Sequence, residues 1–131
     1  MKIWLSPAIF FALFACAAKP VENSSHPTFE ANDIIECMGA YDVPPELISG
    51  RPPSYPNYPI YGEKFGFVAI AFEITNSGTT EKFEKLYANQ LAFYNETKWS
   101  VKKWVFKPPT NQGIPTSASC IFKWRFGYQW D

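Results

Sequence analysis

Three cysteines and one histidine are the side chains in this chain best suited to metal binding or nucleophilic attack: Cys16, Cys37, Cys120 and His26. Their spacing supports neither role. There is no Cys-x-x-Cys and no His pair, and His26 has no Cys, Asp or second His at ligand distance along the chain. A Ser-His-Asp or Cys-His group would have to be built on that lone histidine. No glycine-rich phosphate loop is present, and no cluster of polar residues suits acid–base work. Asn23-Ser24-Ser25 and Asn95-Glu96-Thr97 match the glycosylation sequon and are read as chance matches. The expectation is a non-enzymatic chain with no metal, cofactor or small-molecule substrate.

The elements that would position these residues begin after an atypical first segment. Lys2 is followed by an apolar run from Ile3 to Ala15 and then Cys16. The run is shorter than the roughly 20 residues a membrane-spanning helix needs. Its charged start, apolar middle and small-residue end have the form of a secretory signal. Leu13-Phe14-Ala15-Cys16 resembles the bacterial lipobox, which implies cleavage after residue 15 and a lipid on Cys16. Each buried CH₂ of such a lipid contributes about 0.8 kcal/mol to anchoring. Ala17, standing where inner-membrane lipoproteins often have Asp, implies the periplasmic face of the outer membrane. Ordinary cleavage after Ala15-Cys16-Ala17 would instead give a soluble periplasmic protein.

Two cysteines then remain, Cys37 and Cys120. In an oxidising compartment they form a disulfide that staples the Asp33–Met38 patch to the last strand, worth on the order of 3–4 kcal/mol. Otherwise Cys120 is a buried thiol beside Phe122, and Cys37 is free.

Residues 16–52 read as a flexible tether and proline-rich spacer. Residues 18–31 are polar, and Asp33 to Met38 is a short strand or a turn of helix. From Val43 to Pro59 the chain holds six of its 12 prolines, an extended spacer of about 3.1 Å per residue. The domain proper is assigned to 53–127 and a tail to 128–131. Gly66 to Ile74 alternates, with Val68, Ile70, Phe72 and Ile74 on one face. Asn76-Ser77-Gly78 marks a turn, and Thr80 to Tyr87 returns as a strand, although Phe83 and Leu86 differ in parity. Phe93, Thr97, Val101 and Trp104 recur at helical spacing, and Pro108-Pro109 excludes further helix. Asn111-Gln112-Gly113 is a second turn. A last strand, Thr116 to Phe126, places Ala118, Cys120, Phe122, Trp124 and Phe126 on one face. The predicted fold is α+β, a three-stranded antiparallel sheet packed on one main helix in the order β-β-α-β.

This arrangement resembles the C-terminal domain of the TonB energy-transducer family. Tyr58-Pro59, the run from Gly66 through Ile74, and Gly78 carry the first part of the likeness. The helix ending Val101-Lys102 with Trp104, Phe106 and Pro108, then Gly113, Pro115 and Phe126, carry the rest. The family's transmembrane helix is replaced here by the lipobox-like segment. The resemblance implies TonB-type transmembrane transport, in which an extended segment of an outer-membrane receptor adds to the last strand. The receiving edge would be Ser117, Ser119, Ile121, Lys123 and Arg125, with Lys123 and Arg125 steering acidic peptide residues. In the alternative that edge is covered and its residues only pack. A second class of function is a lipid-tethered scaffold domain of the envelope with no transport partner. With 12 basic and 12 acidic residues, the zero formal net charge gives no footprint for nucleic acid or an anionic membrane.

Overall fold

The structure, a computed structural model, describes residues 34–58, 60, 62 and 64–127. In chain order the elements are β1 (Ile35–Met38), β2 (Glu46–Ser49), β3 (Gly66–Ile74), β4 (Thr80–Ala88), α1 (Leu91–Lys102), β5 (Val105–Lys107), β6 (Thr110–Asn111), β7 (Ile114–Pro115) and β8 (Ala118–Phe126). The main sheet is antiparallel in the order β1-β8-β3-β4; β2 pairs with β5, and β6 with β7. This corrects the predicted three-stranded α+β arrangement. The sheet has four strands, two further small sheets flank it, and strand accounts for 47% of the described residues against one helix. The physical reason lies in two short segments. Ile35–Met38 and Glu46–Ser49 are four residues each, too short to show a period, and each is a strand only because a distant partner completes its hydrogen bonds.

The alternating segments form where their patterns place them. β3 turns Val68, Ile70, Phe72 and Ile74 into the core, and β8 turns in Ala118, Cys120, Phe122 and Phe126. β4 is less regular. Its pairing with β3 slips twice, each time with one extra residue on β4, and Lys82 in the second slip has φ 58°. Two inserted residues reset the alternation, which is why Phe83 and Leu86 fall out of step.

The helix packs Phe93, Thr97 and Val101 against the sheet. Thr97 is fully buried, and its hydroxyl donates to the Phe93 carbonyl at 2.9 Å, so its polar atom is satisfied one turn back. Helix ends at Lys102 because the following residues are held elsewhere: Trp104 turns into the core, and the Phe106 amide donates to the Gly78 carbonyl at 2.8 Å.

Trp104 lies at the centre, 1% exposed, with its ring 4.8 Å from Phe122 and near Phe72 and Phe106. Its indole N–H donates to the Arg51 carbonyl at 2.8 Å, while a Cβ added at Gly50 would stand 2.5 Å from the ring. Gly50 and Arg51 therefore form the outer wall of the indole slot, and only a residue without a side chain fits at position 50. Pro53 and Pro56 are buried as well, and the Tyr55 ring meets Phe93 and Phe126 edge-on. Part of the segment read as a spacer is thus core wall. Cys16, the expected lipidation site, the histidine His26 and the tail 128–131 lie outside the described residues, as does Pro59.

Candidate partner-binding surface

Cys37 and Cys120 are joined by a disulfide across 83 residues of sequence. They sit directly opposite each other on β1 and β8, with Cα atoms 4.0 Å apart. A separation this short belongs to the non-hydrogen-bonded type of antiparallel pair, so the N–H and C=O of Cys37 point away from β8. That carbonyl has a partner: the Tyr41 hydroxyl donates to it at 2.9 Å.

The residues expected at an open edge have a different setting. β1 occupies β8 from Ser119 to Phe122, and β3 pairs with it on the other side from Ala118 to Phe126. Ser119 and Ile121 are therefore on an interior strand, and the covered-edge alternative describes them. Ser117 precedes the strand and is exposed. Lys123 and Arg125, beyond the β1 pairing, are exposed on the face away from the helix. Of the structural anchors, Trp104 and Phe106 are core, and Gly66 meets the Phe93 ring so closely that a Cβ would clash. Pro108 is half-buried and Tyr58 is 44% exposed.

The margins of the main sheet are now β1 and β4. β4 is blunted by its two extra residues and by Glu81, Lys82, Glu84 and Lys85, features that deter another strand. β1 is short but regular through its four pairs. Between the margins, the helix-free face is a shallow groove of 460 Å³. The register places its lining in rows: Glu84, Ala71, Ile121 and Glu36 in one, and Glu73, Ser119 and Met38 in the next. Met38 is 72% exposed beside it, and Lys82 reaches Glu73 at 3.6 Å. The groove offers apolar contact at Met38, Ala71 and Ile121 within an acidic rim, an arrangement suited to binding a chain segment. Sequence reasoning placed Met38 in the Asp33–Met38 patch stapled to the last strand but gave it no binding role, and it missed Tyr41, which lies in no periodic run. Only the β1 pairing gives them a place.

Burial pushes the Tyr94 phenol on α1 above the usual tyrosine value of 10.0, and the nearby Glu84 carboxylate adds to the rise. Among the described residues no group of three or more His, Cys, Asp or Glu could hold a metal ion, and no helix is long and apolar enough to cross a membrane. No protein-family model matches the chain, and no curated protein is significantly similar to it.

Proposed function

We propose that this chain is a periplasm-facing protein-binding domain in TonB-type transport, held to the outer membrane through a lipid on Cys16. Its partner in this reading is an extended segment of an outer-membrane receptor. The order and spacing of Gly66 to Ile74, Gly78 and the Val101–Pro108 ending support it. The observation that carries it is the β1 margin, a regular edge fastened by a disulfide and bordering the groove. The guest strand adds to β1 rather than to β8. It displaces the Tyr41 hydroxyl from the Cys37 carbonyl and sets alternate side chains over Met38 and Ile121.

One observation favours a second reading, the lipid-tethered scaffold. The Tyr41 hydroxyl already satisfies the Cys37 carbonyl, so a protein with no guest leaves less of that edge unmet. A photo-crosslinker at Met38 in intact envelopes separates the two, with one at the exposed Ile114 as reference. A receptor segment captured at Met38 supports transport, and capture of a non-receptor envelope protein supports the scaffold. Equal labelling at both positions removes the groove from either role.

A further inference from the structure

The chain's zero net charge conceals a segregation. Between Thr97 and Trp130 stand Lys98, Lys102, Lys103, Lys107, Lys123 and Arg125, with no Asp or Glu among them. Lys98, Lys102 and Lys103 lie in or just after the C-terminal half of α1. At about 100° per residue, Leu91, Asn95, Lys98, Trp99 and Lys102 fall within one stripe opposite the buried Phe93, Thr97 and Val101. Leu91 is 62% exposed and Trp99 64%. The Lys103 ammonium stands 5.4 Å from the Trp99 ring centre, and Lys98 lies over Phe83 at 5.9 Å. Glu96, the helix's one acid, sits on the flank rather than in the stripe.

We infer that this outer face of α1 docks on an anionic phospholipid surface. Two features select that occupant. The charge is complementary, since Lys98, Lys102 and Lys103 border the stripe and Glu96 on its flank is the helix's one acid. The shape is a single helix ridge about 18 Å long, which suits a soft plane. An indole beside ammonium groups is the side-chain set that settles at headgroup depth, with the ring among the upper acyl carbons and the lysines at the phosphates. Leu91, about 12 Å away along the axis, gives the second apolar contact. This surface is separate from the β1 margin and does not depend on a lipid at Cys16.

The test uses the full chain with Cys16→Ser, so that no acyl chain contributes. Co-flotation is measured on vesicles mixing phosphatidylglycerol with phosphatidylcholine, and on phosphatidylcholine alone. The expected result is preferential binding to the anionic vesicles that high salt removes. Lys102→Glu with Lys103→Glu lowers it about thirtyfold, taking about 1 kcal/mol for each lysine. Trp99→Phe removes the component of emission that brominated lipid quenches. These positions are exposed, and unchanged near-ultraviolet circular dichroism verifies the fold; Lys102→Gln with Lys103→Gln gives the milder variant if the reversal misfolds. An anionic preference unaffected by the lysine changes overturns the inference, as does Trp99 emission that lipid does not quench. Displacement by millimolar inorganic phosphate would assign the lysines to free phosphate instead. Salt-sensitive self-association without vesicles would assign them to a second copy.

Discussion

Trp104 is the residue on which most of the packing converges, and its truncation has a calculable cost. Trp104→Ala empties a slot walled by Phe72, Phe106, Phe122 and Gly50, and it leaves the Arg51 carbonyl without its indole donor. Loss of about 3–5 kcal/mol is expected in urea unfolding, at the upper end because a polar partner is orphaned too. Tyr94 gives a different kind of prediction. Its raised pKa means that the folded state holds the phenol proton more tightly than the unfolded chain does. Stability from this group is therefore intact below the usual tyrosine value and lost as pH rises through the higher folded one. Alkaline unfolding monitored by circular dichroism should shift upward in Tyr94→Phe, while neutral-pH stability moves little. At this scale the sequence is informative where a residue's period is informative. Phe93, Thr97, Val101 and Trp104 share a side by arithmetic alone, and Trp99, six residues after Phe93, falls opposite them. The Tyr41 hydroxyl on the Cys37 carbonyl has no such signature, since it follows from how the chain bends after β1.

At the scale of elements, β1 depends most on a bond rather than on its own residues. Four residues cannot hold a strand by themselves, so the Cys37–Cys120 link and its neighbouring pairs stand or fall together. Replacing both cysteines by serine should cost about 4 kcal/mol, the order of the chain-entropy value for a loop of 83 residues. Hydrogen exchange then reads the location of the loss. The amides of Glu36, Ile121, Met38 and Ser119 should lose protection, while β3 residues facing the core keep theirs. Unchanged protection at Ile121 would mean that β1 is seated by its side chains alone. The helix and the two long strands needed no such help to be read from sequence, because nine residues of alternation and twelve of helical spacing exceed what chance supplies. The second strand was harder for a reason the bulges explain: two inserted residues break the period on which the reading relies.

For the whole molecule, the segment before β3 changes from connector to component. Leu47, Pro53, Pro56 and Ile60 are buried, and β2 closes on β5 with Leu47 opposite Phe106. One hydrophobic cluster therefore runs from Leu47 to Phe126 through the helix and both faces of the Trp104 slot. Unfolding followed by far- and near-ultraviolet circular dichroism should trace a single coincident transition. Two separated transitions would show that the proline-rich wall detaches on its own.

Sequence by itself determined the lengths and faces of the long elements, the turns at Gly78 and Gly113, and the two cysteines available for pairing. These are local properties, fixed by periods of two and 3.6 residues and by the few residues that tolerate positive φ. Tertiary structure alone decided that β8 is an interior strand, that the sheet has a fourth member, and that the exposed face of α1 gathers Leu91, Lys98, Trp99 and Lys102. Each of these depends on contacts between residues far apart in the chain, and neither composition nor a charge total carries direction in space.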